Sequence, residues 1–297
     1  MQFVTFTSSA APPSGGQAPR LGVIIGETVR DLAAIEATLP RDMLGLVQAG
    51  PAVLEVVRSL VAAADTAGIP LSEVRLLAPM QRTPKGIIGI GLNYRAHVDE
   101  SARTMQTPQE MPTHPVIFIK PNTAIIGPDA PIVKPAVTNM LDYEAELGVV
   151  IGTGGRDIAE ADALSHVFGY TIINDVSARD MRHGGQWCFS KGQDSFAPMG
   201  PCIVTADEIA DPHDLDIWCA VSGEERQNSN TRHMIFDVRQ LIAHISSGMT
   251  LEAGDVIATG TPEGVGISFT PPRFMNPGDW VEMRVPGIGT LRNPVVG

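Results

Sequence analysis

Two glutamates, Glu144 and Glu146, stand two positions apart in LDYEAELGVVIG (141–152), a run that otherwise reads as a buried β-strand. Side chains at i and i+2 of a strand leave from one face, with α-carbons roughly 6–7 Å apart. Two anions that close repel each other, so a proton or a cation must balance them. Asp175 closes GYTIIND (169–175), a second strand-like run, and would bring a third carboxylate to the pair. Such an all-oxygen set, with no His or Cys adjacent in sequence, suits a hard cation such as Mg²⁺, Mn²⁺ or Ca²⁺ and leaves coordination positions for water and substrate. Spacing taken alone leans to a plainer reading, with the glutamates on a solvated edge strand and Asp175 capping a turn.

NYRAHVDES (93–101) places His97 and Glu100 at i and i+3, on one side of a helical turn. A carboxylate on one ring nitrogen fixes the tautomer and makes the other nitrogen a better base. The bland alternative is a surface histidine beside acids. Lys191, in WCFSKGQDSFAPMG, sits among aromatic and small residues, where burial would lower its pKa or a carboxylate would keep it charged. GTPEGVG (260–266) is a Gly-rich turn after a strand, and its amides and the Thr261 hydroxyl are candidates for holding an oxyanion. It lacks the GK[ST] of a phosphate loop, GIIGIG lacks GxGxxG spacing, and no GxSxG nucleophile elbow occurs.

The 297 residues carry a net charge of −12. A surface of that sign is repelled by nucleic acid and by anionic membranes, so neither is expected as a partner. No apolar stretch reaches the roughly 20 residues that span a bilayer. The start, MQFVTFTSSAAPP, has neither the basic residues nor the apolar run of a signal peptide. Cys188, Cys202 and Cys219 form no CxxC pair and read as free thiols of a reducing cytoplasm.

These groups must be held by a mostly β framework. Strands are expected over MQFVTFT, on either side of a turn near Gly26 and Glu27, and over 86–94, 115–121, 131–135, 141–152, 169–176, 201–206, 215–223, 254–262 and 279–291. Helical spacing marks 51–68, with Pro51 at its start, then 233–249 and a shorter stretch over DIAEADALSHV (157–167). Residues 8–19 read as a flexible loop, and the polar stretch 99–114 as a mobile lid or a long loop. The expected fold class is α+β, mainly β: a small α+β N-terminal domain over 1–79 and a barrel-like or sandwich body over 80–297.

Taken in order, GIGLNYRAHVDE, IFIKPNTAIIGP, LDYEAELGVVIG, GYTIINDVSARD, SKGQDSFAPMGP, MIFDVRQLIAHISSGMTLEAGDVIATGTPEGVG and GDWVEMRVPGIGTLRNPV resemble the fumarylacetoacetate hydrolase family. The resemblance covers about residues 84–297 and implies a mixed β-sandwich roll, usually in a homodimer. It implies Mg²⁺ or Mn²⁺ on Glu144, Glu146 and Asp175, with catalytic His97, Glu100 and Lys191 and a His97 segment that orders over substrate. Thr261, Arg182 and Tyr94 are placed with the substrate, a small 2-oxo acid or diketo acid. Many relatives have Phe-Asp-Thr at Gln193-Asp194-Ser195 and a glutamine or similar residue at Arg182, departures that bear on substrate choice. Arg182, if it enters the pocket, would bind a distal carboxylate such as that of fumarylpyruvate or maleylpyruvate; an arginine on an outer loop is the alternative. The expected activity is metal-dependent hydrolysis of a carbon–carbon bond in an acylpyruvate, releasing pyruvate. The alternatives are an oxaloacetate decarboxylase, an isomerase of an unsaturated 2-oxo dicarboxylate, or a metal-binding protein without catalysis.

Overall fold

The computed structural model of the protein describes residues 1–9, 18–64, 67–104 and 110–297. The loop expected over 8–19 lies largely outside these, as does the middle of the stretch 99–114.

A mixed sheet forms the body. Along it lie, in spatial order, Ile69–Pro70, Thr28–Asp31, Arg20–Ile25, Gln2–Ser8, Ala197–Thr205, Val167–Asn174, Ala145–Ile151, Val256–Ala258, Ile87–Gly91 and Val116–Lys120. A second sheet of five strands runs Glu224–Asn230, Asp216–Val221, Trp280–Val285, Gly289–Val296 and Ile132–Val133. The fold is mainly β with fewer helices than strands among the described residues, the class that the turn-rich strand pattern predicts. Gln2–Ser8 pairs with Ala197–Thr205 through Gln2↔Val204, so the N-terminal strands extend the same sheet that carries the acids.

Ala145–Ile151 is a central strand, buried at every residue and paired on both edges. Its apolar run AELGVVI suits burial on two faces, and Glu146 is carried inside with it. The strand expected over 141–152 is broken. Leu141–Asp142 pairs instead with Ser177–Ala178, and the break leaves Tyr143 and Glu144 between two sheets. Asp142 stabilises that break by accepting from the backbone amides of Tyr143, Gly266 and Ile267 at 2.9, 2.7 and 3.0 Å.

Arg95–Thr104 is helical and buries His97, Val98, Glu100 and Ser101, so the start of the polar stretch is a packed helix. Val238–Gly248 begins later than its apolar periodicity suggests, because Asp237 caps it in a reciprocal box with Gln240. The helix expected over 157–167 is reduced to a 3₁₀ turn at Ala163–His166. Asp157 has φ of 51°, a left-handed conformation that a right-handed helix does not continue. The Glu224–Asn230 strand, EERQNSN, was not expected, since it has almost no apolar residues. It is recruited by pairing with Asp216–Val221.

Candidate active site

Three elements bring the acids together. Glu144 comes from the break before the central strand, Glu146 from the strand itself, and Asp175 from the end of the neighbouring Val167–Asn174 strand. All three are buried, and oxygens from each lie within 4.8 Å of one another. The solvated-edge reading is therefore excluded.

Cations surround the trio. Lys191 Nζ donates to Glu144 Oε2 at 2.8 Å, to Asp175 Oδ2 at 2.5 Å and to Ser177 Oγ at 2.8 Å. With three donors engaged it is a fixed positive charge. Burial opposes that charge, but Asp175 and Glu144 outweigh it and hold the pKa above the usual lysine value. Arg179 pairs with Asp142 through Nε at 2.9 Å and with Glu144 through Nη2 at 2.7 Å. Lys120, fully buried, pairs with Asp175 and donates to the Val176 carbonyl at 3.2 Å. Neither Arg179 nor Lys120 was singled out in the sequence. Their signals were slight: an arginine inside NDVSARD, and a lysine ending the apolar strand VIFIK.

Glu144 and Glu146 respond oppositely. Burial raises both, but at Glu144 the charges of Lys191 and Arg179 prevail and hold its carboxyl well below the usual range. At Glu146 burial is joined by repulsion from Asp175 and Glu144, and its carboxyl is pushed well above. Glu146 Oε2 accepts from the Gly260 amide at 2.9 Å, whereas Oε1 is buried with no hydrogen-bond partner among the described residues. An unpartnered oxygen within a buried three-carboxylate set fits a divalent cation, which would satisfy it and remove the repulsion.

His97 Nδ1 lies 2.8 Å from Glu100 Oε1, and Glu100 Oε2 accepts from the Gly264 amide at 3.0 Å. The pair is buried, not a surface decoration. His97, Glu144, Lys191, Arg179, Arg182 and Thr261 line one cleft of about 370 Å³, its open mouth included. A roomier cleft beside the Gly50–Ala63 helix is bordered by Val47, Leu54 and Phe168, and its lining includes neither histidine nor lysine.

Arg182 enters the cleft with its guanidinium 4.5 Å from the centre of the Trp187 ring. No carboxylate pairs with it among the described residues, and burial, followed by the nearby Arg179 charge, lowers its pKa. Ser195 accepts from the Val133 amide instead of facing the cleft. Tyr94, expected at the substrate, is fully buried and absent from the cleft lining. Burial and then the charge of Glu146 raise its hydroxyl pKa. The amides of Gly260 and Gly264, candidates for an oxyanion hole, are bound to Glu146 and Glu100, which leaves Thr261 as the group of that turn lining the cleft.

The sequence model of a family described as Fumarylacetoacetate (FAA) hydrolase C-terminal matches residues 86–296. The chain belongs to the fumarylacetoacetate hydrolase family. Oxaloacetate tautomerase FAHD2A, mitochondrial, of Bos taurus is 43% identical over 301 aligned residues, covering 100% of this chain and 92% of that protein. Oxaloacetate tautomerase YisK of Bacillus subtilis is 47% identical over 229, covering 76% of this chain and 74% of that protein. A solved maleylpyruvate hydrolase of Sphingobium sp. SYK-6, in complex with manganese(II) and pyruvate, superposes with a TM-score of 0.80 at 34% identity, covering 100% of this chain and 99% of that one. Membership of this enzyme family, the buried triad and the metal-bound neighbour agree on a divalent-metal site. No helix among the described residues is long and apolar enough to cross a membrane.

Proposed function

We propose that this fumarylacetoacetate hydrolase family member interconverts the keto and enol forms of oxaloacetate. Carbon–carbon hydrolysis is the first expectation from the sequence; the likeness to oxaloacetate tautomerases supports instead its alternative, an oxaloacetate decarboxylase or an isomerase of an unsaturated 2-oxo dicarboxylate, and among such reactions keto–enol exchange. One observation carries the chemistry. His97 lines the cleft beside Glu144 while Glu100 holds its Nδ1, so Nε2 is left to exchange a proton with substrate.

In the keto-to-enol direction, His97 Nε2 takes a proton from C3, the electron pair of the broken C–H bond moves into the C2–C3 bond, and the protonated Nε2 returns its proton to the C2 oxygen, leaving the imidazole neutral. Ketonisation reverses these steps. The chemistry supplied by Mg²⁺ or Mn²⁺ at Glu144, Glu146 and Asp175 is Lewis-acid polarisation of the 2-oxo oxygen. Lys191 holds two of those carboxylates in place and adds fixed positive charge near the developing enolate. Arg182, with its guanidinium over the Trp187 ring, receives the distal carboxylate. Arg182 thereby favours a substrate with a second carboxylate.

Hydrolysis of an acylpyruvate is the second reading, favoured by the likeness to maleylpyruvate hydrolase. It requires His97 to activate water. The two are separated by following the ultraviolet absorbance of enol-oxaloacetate and, in parallel, pyruvate release from maleylpyruvate and oxaloacetate. Accelerated ketonisation without pyruvate release is expected. Pyruvate from maleylpyruvate at comparable rates would reject the tautomerase reading, and pyruvate from oxaloacetate would make the chain a decarboxylase.

A further inference from the structure

Gln227 lies outside the cleft lining and is 1% exposed, on a strand of the five-stranded sheet. Its side chain reaches across to two parts of the site at once. Oε1 accepts from the Ala145 amide at 3.0 Å, between the two metal-site glutamates. Nε2 donates to the Pro262 carbonyl at 2.9 Å and to Thr261 Oγ1 at 2.8 Å.

The two backbone partners decide which end of the amide is which. A peptide N–H only donates and a carbonyl only accepts, so a flipped side chain would set donor against donor and acceptor against acceptor. Nε2 therefore faces Thr261, and an amide nitrogen does not accept. The Thr261 oxygen must be the acceptor of that bond. Its own proton has no acceptor among the described residues, and Thr261 lines the cleft with His97 and Lys191.

We infer that Gln227 is a positioning residue that sets the polarity of Thr261, making its hydroxyl an obligate donor towards an anionic oxygen of bound substrate. Without such a constraint a hydroxyl rotates between donating and accepting. With it, the donor is oriented before the ligand arrives, which is how a neutral group best stabilises charge that grows during reaction. The bond also ties the GTPEGVG turn to the strand bearing Glu146, so the donor and the metal centre keep one distance. The inference rests on the reading of the cleft as a 2-oxo acid site, without requiring tautomerisation in particular.

The test is a double-mutant cycle read in the affinity of the Mg²⁺-loaded protein for oxalate, a planar dianion resembling a 2-oxo acid enolate, and in kcat on enol-oxaloacetate. Gln227→Glu keeps an acceptor for Ala145 but replaces the donor facing Thr261 with an acceptor, drawing the hydroxyl proton away from the ligand. We expect Gln227→Glu to weaken oxalate about 10-fold or more in the native background and about 3-fold or less in the Thr261→Val background. The same loss in both backgrounds would mean that the new charge acts on its own, and would overturn the inference. Thr261→Ser, which keeps the donor, should bind oxalate within about 3-fold of native, whereas Thr261→Val should lose about 10-fold. Should Gln227→Glu fail to fold, that pair decides, and equal affinities overturn the inference. Coupling in oxalate affinity without ketonisation would reject the proposed reaction and leave this relay standing; ketonisation with additive losses would do the reverse.

Discussion

The Nζ of Lys191 stands 2.8 Å from Oε2 of Glu144, an ion pair with both side chains almost fully buried. The same ammonium bonds Asp175, so one cation separates two carboxylates that would otherwise face each other. Lys191→Met leaves them opposed, each with only its second cation, Arg179 at Glu144 and Lys120 at Asp175, without changing side-chain bulk greatly. Breaking a buried pair from one side costs about 3–5 kcal/mol. Urea unfolding of the metal-free protein should show a loss of that size in midpoint stability with an unchanged slope. Turnover should fall at least about 100-fold.

Glu100→Gln should inactivate by reversing a tautomer. The Gly264 amide requires an acceptor, so the new carboxamide must turn its oxygen there and point its NH₂ at His97 Nδ1. Nδ1 then accepts and the ring proton moves to Nε2, the atom needed as base. A loss in kcat of about 100- to 10,000-fold is expected, with little change in thermal stability. Retained activity with an unshifted pH profile would remove Glu100 from this role.

Chelation and pH should act through Glu146. In the metal-free protein its carboxyl titrates above the usual range, chiefly through burial. A cation competes with that proton, so Mn²⁺ affinity should rise with pH until Glu146 is fully ionised. Conversely, the group stabilises the metal-free fold below the ordinary carboxylate pKa, and that contribution is lost as pH climbs through the raised value. Titration calorimetry at about pH 6 and about pH 8, in buffers of different ionisation heat, should show proton release on binding. EDTA should abolish turnover, and Mg²⁺ or Mn²⁺ should restore it. Binding with no proton released at either pH would contradict the assignment.

Arg182→Ala should discriminate between substrates. A charge-assisted contact to a distal carboxylate accounts for roughly 10- to 100-fold in KM. Oxaloacetate should suffer this loss, while acetylpyruvate, which has no second carboxylate, should undergo keto–enol exchange at unchanged KM. Equal losses on both would place Arg182 outside substrate recognition.

Thiol accessibility should follow burial. Cys188 is exposed, whereas Cys202 and Cys219 are buried and all three are free. Burial pushes the Cys202 thiol up to about 12, so the reactive thiolate is scarce there at neutral pH. Iodoacetamide at about pH 8 should modify Cys188 alone in the native protein, as read by intact mass and peptide mapping. Modification of Cys202 at a similar rate would mean that the Ala197–Thr205 strand opens readily.

Spacing nominated most of the candidate groups, and the order of the motifs around them favoured a site over solvated side chains. Glu144, Glu146 and Asp175 stand out because carboxylates in apolar strand runs demand a counter-charge, and His97 with Glu100 because i and i+3 share a helical face. Arg179, Lys120 and Gln227 did not stand out. Each acts on a partner 30 or more positions away, or on several at once, and no local pattern encodes such a meeting. The loss of the 157–167 helix and the recruitment of EERQNSN as a strand have the same origin, since backbone strain and cross-strand pairing overrode local propensity.

By itself the sequence determined the β-rich class, because periodicity is a property of neighbouring positions; spacing only nominated the carboxylates for a hard cation and the His97–Glu100 pair, and the ordered motifs that resemble the fumarylacetoacetate hydrolase family favoured that reading over solvated side chains. Only the tertiary structure decided that Glu146 is buried with one oxygen unpartnered, that Lys191 stays charged, and that Arg182 enters the cleft while Tyr94 does not. Those outcomes depend on desolvation and on charges arriving from distant strands, and both come into being only when the two sheets close around the site.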